Sequence, residues 1–292
     1  MKPPPFDYWA PRSLPEALEL MARYGEEAKA LAGGQSLVPL MNFRLAAPRQ
    51  LVDLNPIPEL ASCAVEDGVL RLGAMVRHRF LERSPVVREH APLLSMVAPF
   101  IGYPQIRARG TIGGSLAHAD PAAELPAAVM ALDGRVQLRS RTGTRMVAAE
   151  RFFRSFFTTV AEPDELVVGV EIPLPPPGTA VGFQEVAMRR GDFALAGVAV
   201  AVTRGEDGTI TRARIACLSA ASTPLRVPEA ERVLVGEPPS DRLFREVEAR
   251  VSELVDPPDD VHASAGYRRR TLGVLCRRAL TAAVSGKEAT RR

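Results

Sequence analysis

The chain has 292 residues, of which 46% are hydrophobic and 24% charged, and its net charge is +3. This length allows more than one packed domain in an ordinary globular protein. Aromatic residues make up only 5%, and the arginines are dispersed, which argues against nucleic-acid binding. The apolar runs are too short for a stable membrane insertion, and the first residues do not resemble a secretory signal, so we expect a cytoplasmic protein.

The first 55 residues are predicted to form a small α/β unit. "SLPEALELMARYG" (13–25) has a serine N-cap, a proline near its start and a closing glycine, which together indicate a helix. "AKALAGG" is predicted to be a short buried strand, a second helix begins at Ser36, and "QLVDLN" (50–55) is another strand.

A different pattern runs from residue 56 to residue 177. Asp67-Gly68 lies between two apolar runs and predicts a hairpin, and "RFLERS" and "APLLSMVAPFI" are predicted helices. The next segment, "GYPQIRARGTIGG", is predicted to be an irregular loop, followed by the helix "PAAELPAAVMAL". The strands "RVQLRS" and "DELVVGVEIPL" complete this region.

The proline cluster "PLPPPG" (173–178) marks the clearest boundary, because such a cluster disfavours both helix and sheet. Beyond it lie three predicted strands, "VGFQEVAM", "ALAGVAVAVTR" and "TITRARIACLSA", and then three predicted helices. Strands followed by helices indicate a separate α+β domain at 178–292, with helices packed on an antiparallel sheet.

The first glycine pair lies in "LAGGQSLVPLMNFRL" (31–45), between a strand and a helix. Gly33 and Gly34 leave room for a phosphate to approach the backbone, and Gln35 and Ser36 add polar donors at a helix start. The alternative is a simple strand-to-helix turn. The chain has neither G-x-G-x-x-G after the first strand nor a P-loop motif, so neither familiar nucleotide loop is supported.

A second pair, in "TIGGS", places Gly113 and Gly114 between the hydroxyls of Thr111 and Ser115. One cradle suits a single phosphate, whereas two cradles suit the diphosphate of a large two-headed cofactor. The alternative is that both pairs are turns that let chain segments pass closely.

The remaining polar groups do not predict a metal site. Asp120 precedes Pro121 and is interpreted as the N-cap of the next helix rather than as a ligand beside His118 and Glu124. The other histidines are isolated and are interpreted as surface or packing residues; they are His78, His90 and His262. The three cysteines are too dispersed for a zinc ribbon and too few for an iron–sulfur cluster; they are Cys63, Cys217 and Cys276.

"AMRRGDFALAGVAV" (187–200) carries charged and aromatic residues just before a buried strand. The plain interpretation is a charged turn followed by a core aromatic residue. The functional interpretation is a loop in which Phe193 covers a flat cofactor while Arg189 or Arg190 faces its polar edge.

Together, "LAGGQSLVPLMNFRL", "TIGGSLAHADPAAELP", "MRRGDFALAGVAV" and "HASAGYRRRTLGVLCRRAL" resemble the FAD-binding medium subunits of the molybdenum hydroxylases. This is the xanthine oxidase family, and the likeness is strongest to its aerobic carbon monoxide dehydrogenase branch. It covers nearly the whole chain. The resemblance implies a two-lobed FAD-binding fold of the vanillyl-alcohol-oxidase type, with lobes at 1–55 and 56–177, followed by the C-terminal α+β domain.

The resemblance also implies which residues bind the cofactor. The two glycine loops would hold the FAD diphosphate through Ala32, Gly33, Gly34, Gln35 and Ser36 and through Thr111, Ile112, Gly113, Gly114 and Ser115. Glu124, with Asp120 nearby, occupies an acidic position that tends to contact FAD. Phe193 stands where a tyrosine is common beside the flavin, so no phenol hydroxyl is available there. Because neither loop contains histidine or cysteine, we expect non-covalent FAD.

In this family the medium subunit does not oxidise the substrate. The resemblance implies a large subunit with the molybdenum cofactor and a small subunit with two 2Fe–2S clusters, assembled as a dimer of heterotrimers. Electrons would pass through the clusters to FAD and then to an external acceptor. Two alternatives remain at this point: a free-standing FAD oxidoreductase that acts on its own substrate, and a scaffold that has lost the cofactor.

Overall fold

The computed structural model describes residues 2–286 and arranges them around four β-sheets. Residue 1 and residues 287–292, which the predicted first and last domains include, lie outside this range. Helices and strands alternate irregularly and the C-terminal sheet is antiparallel, so the predicted α+β class is confirmed. The domain boundaries at residues 55 and 177 stay predictions.

The N-terminal unit is a parallel three-stranded sheet with two helices. It consists of β1 (Asp7–Trp9), α1 (Leu14–Tyr24), β2 (Ala28–Leu31), α2 (Leu37–Asn42) and β3 (Gln50–Asp53), with the strand order β1-β3-β2. Helix α1 begins as predicted, because the Ser13 hydroxyl accepts a hydrogen bond from the Glu16 amide. Its apolar face packs on β3 through Leu18 and Val52. This packing fixes the direction in which β2 enters the first glycine segment.

The second unit contains an antiparallel five-stranded sheet of order β4-β5-β10-β6-β7. Its strands are β4 (Cys63–Glu66), β5 (Val69–Gly73), β6 (Arg135–Arg139), β7 (Thr144–Ala148) and β10 (Leu166–Pro173), with a separate small hairpin of β8 (Phe153–Ser155) and β9 (Thr158–Thr159). Its helices are α3 (His78–Arg83), α4 (Pro85–His90), α5 (Pro92–Val97), α6 (Pro104–Arg109), α7 (Ile112–His118) and α8 (Glu124–Ala131).

Two predictions in this unit have different outcomes. The Asp67-Gly68 hairpin is confirmed, and both residues take left-handed conformations, with φ of 52° and 74°. The irregular loop predicted for "GYPQIRARGTIGG" is wrong, because α6 and the first turn of α7 occupy most of it. The second glycine pair therefore lies inside a helix.

The C-terminal unit is an antiparallel four-stranded sheet of order β11-β12-β13-β14 covered by helices. It comprises β11 (Thr179–Ala187), β12 (Ala194–Arg204), β13 (Ile210–Leu218), β14 (Leu225–Arg226), α9 (Pro228–Leu234), α10 (Asp241–Leu254) and α11 (Ala265–Ser285). The three predicted strands and three predicted helices are confirmed, whereas the two-residue strand β14 was not predicted. Among residues 2–286, no helix combines the length and the apolar character that crossing a membrane requires.

The second and third units share one hydrophobic core. The cluster that begins at Leu70 continues through α8 and ends at Leu218 of β13. Phe100 and Phe183, one from each unit, meet edge to face with their ring centroids 5.0 Å apart. The Ser219 amide donates to the Pro121 carbonyl at 2.8 Å. This junction holds the C-terminal sheet against the start of α8.

An ion-pair cluster closes the same junction at its rim. Asp133, at the turn after α8, accepts hydrogen bonds from Arg212 and Arg214 of β13, and the Arg214 contact measures 2.9 Å. Arg226 lies 3.6 Å from the same carboxylate and also pairs with Glu231 at 2.7 Å. One carboxylate of the second unit thus faces three arginines of the third.

Candidate functional site

The first glycine segment is an open turn between β2 and α2. Gly34 has a φ of +73°, which favours glycine, and the Gln35 side chain folds back to donate to the Gly33 carbonyl at 3.0 Å. The backbone N–H groups of residues 33–36 have no hydrogen-bond partner within residues 2–286. Four successive free donors at a turn can surround an anion. Helix α2 begins directly after Ser36, within one residue of the predicted start, and the Ser36 side chain makes no capping bond.

The second glycine pair lies in the first turn of α7 and not in the predicted open loop. The Thr111 hydroxyl caps α7 by accepting from the Gly114 amide at 3.0 Å, and the Gly113 amide donates to the Ala74 carbonyl at 2.9 Å. A Cβ atom on Gly113 would lie 2.4 Å from Ala74 Cβ. The pair therefore packs α7 closely against the chain after β5. Its amides are already used, whereas the Ser115 hydroxyl makes no hydrogen bond within residues 2–286.

The two segments contact each other directly. A Cβ atom on Gly33 would lie 2.4 Å from the carbonyl oxygen of Arg109 and 2.7 Å from the Cα of Gly110. The clearance at Gly33, which the sequence assigned to a phosphate, is thus filled by the second segment. Gly114 comes next to Ala32 across the same gap. The structure brings the two predicted loops together, with the free amides of 33–36 at their junction.

His78 contacts the start of the second glycine segment through its backbone and its side chain. Its backbone N–H donates to the Gly110 carbonyl at 2.9 Å, and its Nε2 lies 2.9 Å from the Thr111 carbonyl oxygen. Burial lowers the pKa of the His78 imidazole to about 4, so the ring is neutral at physiological pH. Sequence reasoning treated His78 as an isolated residue, because nothing near it in the chain signals that Thr111 is its partner.

The acidic residues after α7 are arranged differently from the prediction. Asp120 accepts from the Ala122 amide at 2.9 Å in a turn, and α8 begins only at Glu124, so the predicted N-cap role of Asp120 is wrong. Glu124 is buried, and burial raises the pKa of its carboxyl to about 7. The acidic side chain expected near the cofactor therefore lies in the protein interior.

A second carboxyl, missed from the sequence, lies close to Glu124. Glu185 of β11 is on the same face of the strand as Phe183, the face that packs on the second unit. Burial and the charge of Glu124 raise the pKa of Glu185 to about 9, and its Oε2 has no partner within residues 2–286. A glutamate in a strand carries no sequence signal of burial, which only the packing of β11 on the second unit reveals.

The turn at 188–193 meets the second unit at Gly102. A Cβ atom on Gly191 would lie 3.1 Å from the Gly102 carbonyl, and the φ of Gly191 is +85°. Arg189 and Arg190 are exposed, and the Phe193 side chain is 72% exposed rather than in the core. The structure does not bring these three residues against the glycine segments.

The cysteines and metal-ligating side chains form no centre within the described range. Cys217 and Cys276 are buried, and burial raises the pKa of Cys217 to about 12. No group of three or more histidine, cysteine, aspartate or glutamate residues among residues 2–286 could hold a metal ion.

Comparison with known proteins shows the family to which the chain belongs. The family model of the FAD binding domain in molybdopterin dehydrogenase matches residues 4–175, and that of the CO dehydrogenase flavoprotein C-terminal domain matches residues 182–283. The 6-hydroxypseudooxynicotine dehydrogenase complex subunit alpha of Paenarthrobacter nicotinovorans is 43% identical over 97% of this chain and 96% of its own. The carbon monoxide dehydrogenase medium chain of Hydrogenophaga pseudoflava is 36% identical over 97% of this chain and 98% of its own.

Solved structures agree with these relatives. A carbon monoxide dehydrogenase from Hydrogenophaga pseudoflava, which lacks the Mo-pyranopterin moiety, matches with a TM-score of 0.95 and 37% identity over 99% of this chain and 100% of that chain. Quinoline 2-oxidoreductase from Pseudomonas putida 86 matches with a TM-score of 0.93 and 35% identity over the same shares. The chain therefore belongs to the FAD-binding flavoprotein subunits of the molybdopterin dehydrogenases, the molybdenum hydroxylase family that its glycine motifs resemble.

Proposed function

We propose that this chain is the FAD-bearing electron-transfer subunit of a heterotrimeric molybdenum hydroxylase. It receives electrons from the 2Fe–2S clusters of a small subunit and passes them to an external acceptor, while a large subunit with the molybdenum cofactor oxidises the substrate. Relatives of the same length are named as medium chains or as subunits of dehydrogenases. The dispersed cysteines of this chain fit a division of labour in which another subunit holds the clusters.

The observation that carries the proposal is the row of free amides at 33–36, closed from one side by the second glycine segment. A diphosphate carries negative charge and accepting oxygens, which suit unpaired N–H donors at a turn. The residues present therefore fit FAD. A bound flavin would supply the ability to accept electrons one at a time and to hold two for transfer to an acceptor.

Each part of the chain would have its own task toward the cofactor. The amides of 33–36, with Ala32 and the Ser36 hydroxyl, would bind the diphosphate, and Ser115 would donate from the second segment. Thr111, Ile112, Gly113 and Gly114 would act through the packing of α7. Glu124, with Asp120 nearby, would contact the cofactor from the acidic position after the second glycine segment. The exposed turn carries Arg189, Arg190 and Phe193. These side chains would contact the flavin ring only if the turn packs over the ring.

Flavin content tests the proposal first. The purified full chain should contain FAD, released intact by heat or acid as expected for non-covalent binding, or should take it up when FAD is added. Identification of the released flavin by chromatography gives the measurement. A chain that stays colourless with added FAD would support the alternative of a scaffold without cofactor.

Electron transfer is tested in the complex. Co-expression with the molybdenum and iron–sulfur subunits should give a particle of twice the heterotrimer mass, the predicted dimer of heterotrimers. Substrate should reduce FAD in this complex but not in the chain alone. Substrate turnover by the isolated chain would instead favour the free-standing oxidoreductase.

A further inference from the structure

Two side chains outside the glycine motifs connect the two glycine segments. Asn55 follows β3 in the N-terminal unit, and its Nδ2 donates to the carbonyl of Ala32 at 2.9 Å. Arg77 precedes α3 in the second unit; one terminal nitrogen donates to Asn55 Oδ1 at 2.6 Å, and the other donates to the carbonyl of Arg109. A continuous path of hydrogen bonds therefore runs from Ala32 to Arg109 through two side chains.

The orientation of Asn55 is itself fixed. The Asp53 carboxylate accepts from the Asn55 backbone amide at 2.9 Å, and its second oxygen accepts from the Tyr8 hydroxyl at 2.5 Å. Asp53 is buried at the end of β3. Its hydrogen bonds to Tyr8 and Asn55 form a series that extends from the surface of the sheet to the first glycine segment. The Asn55 amide group can therefore satisfy Ala32 and Arg77 at the same time.

These bonds determine where the first free amide points. In a trans peptide the carbonyl and the following N–H point in opposite directions. Holding the Ala32 carbonyl against Asn55 thus turns the Gly33 N–H to the side opposite Asn55 and leaves it without a partner within residues 2–286. Holding the Arg109 carbonyl with Arg77 fixes the backbone that Gly33 contacts.

We propose that Asn55 and Arg77 are positioning residues for FAD: they form a latch that couples the two glycine segments and aims the Gly33 amide at the diphosphate. The inference rests on the proposed placement of the diphosphate at 33–36. Arg77 is assigned this role because its planar fork donates one hydrogen bond from each terminal nitrogen, one to Asn55 and one to the Arg109 carbonyl.

The test is a titration of the deflavinated full chain with FAD, in which flavin fluorescence measures binding. Asn55→Ala and Arg77→Ala should each weaken binding by about tenfold, the effect of about 1.4 kcal/mol. The double variant should be little weaker than either single variant, because each substitution alone opens the same path. Arg77→Lys should bind FAD as poorly as Arg77→Ala, because one ammonium cannot replace the fork.

Arg71→Ala is the matched control, since Arg71 joins Glu66 and Glu171 within the second sheet and touches neither glycine segment. It should leave FAD affinity unchanged. Urea unfolding of the FAD-free proteins separates positioning from folding: the latch variants should lose FAD affinity beyond any shift in their unfolding midpoint. If Arg77→Ala does not fold, Asn55→Ala and Arg77→Lys carry the same comparison.

Three results would overturn the latch. Full affinity in Arg77→Lys with loss in Arg77→Ala would mean that Arg77 acts by charge on the phosphate. Additive losses in the double variant would mean that the two residues act separately, and unchanged affinity in both would mean that they do not act on FAD. Failure of the proposed site is distinguishable, because then Gly33→Ala would also bind FAD with unchanged affinity.

Discussion

Gly33 is the residue at which the two halves of the site touch, and only a hydrogen atom fits between its Cα and the Arg109 carbonyl. Gly33→Ala should therefore push the segments apart and weaken FAD binding by about tenfold or more, since overpacking costs about 1–3 kcal/mol. Gly143→Ala is the control, because a Cβ atom there meets nothing within 4 Å. Titration of the deflavinated chain with FAD measures both. Equal affinities would contradict the proposed placement of the diphosphate at this junction.

Glu185 makes a prediction about pH. Its folded pKa of about 9 lies above the ordinary value of 4.5, so the folded chain keeps a proton that the unfolded chain releases. Stability from this group is complete below pH 4.5 and is lost as pH rises toward 9, because the unfolded chain releases the proton first. Glu185→Gln should remove this decline.

Urea unfolding of the FAD-free chain between pH 5 and pH 9 measures the decline. Glu124, with a pKa of about 7, has the same sign and should leave a smaller slope in the variant below neutral pH. Glu246→Gln, at an exposed site of α10, should keep the original slope. Parallel curves for the chain and Glu185→Gln would contradict the raised pKa of the Glu185 carboxyl.

Among the elements, α7 has the least local support. It has seven residues, two of which are glycines with poor helix propensity, yet it packs against the chain after β5 with almost no space between them. Gly113→Ala would improve propensity but place a Cβ 2.4 Å from Ala74 Cβ. We expect a net loss of about 1–3 kcal/mol in unfolding free energy.

The control in the same helix is Ala117→Gly, an exposed site where the change costs only about 1 kcal/mol of propensity. Denaturation followed by circular dichroism compares the two variants. A Gly113→Ala protein as stable as the wild type would mean that α7 can shift without cost.

The difference between elements with local sequence signals and elements held by distant contacts explains what the sequence could predict. Helix α1 and the Asp67-Gly68 hairpin carry their own local signals, a capping serine and a left-handed turn, so they are predictable. Helices α6 and α7 are held by pairing of residues 110–112 with 76–78, a contact with no local signature. The glycine motifs predict the candidate site, whereas its supporting side chains, including His78 and Asn55, are distant in the chain and became visible only in the fold.

At the scale of the whole molecule, Asp133 is the shared partner in the ion-pair cluster that joins the second and third units. Asp133 has a φ of 51°, which asparagine tolerates, so Asp133→Asn removes the charge with little backbone cost. Arg212 would then lose its counter-ion and Arg214 would keep only Glu231, 3.8 Å away, and we expect about 1–3 kcal/mol lower stability. Glu150→Gln, an exposed partner of Arg226 alone, should cost less than about 1 kcal/mol. Urea unfolding of both variants decides, and equal losses would contradict a special role for Asp133.

The hydrophobic core that runs from Leu70 to Leu218 determines how cooperatively the second and third units unfold. Two family models meet near the proline cluster, which suggests two modules that could melt one after the other. Because residues from both sides of that boundary fill one core, neither side keeps a complete interior without the other. Calorimetry should therefore record a single cooperative transition for these two units, and a gene fragment that ends at the proline cluster should yield an aggregation-prone product rather than a smaller flavoprotein.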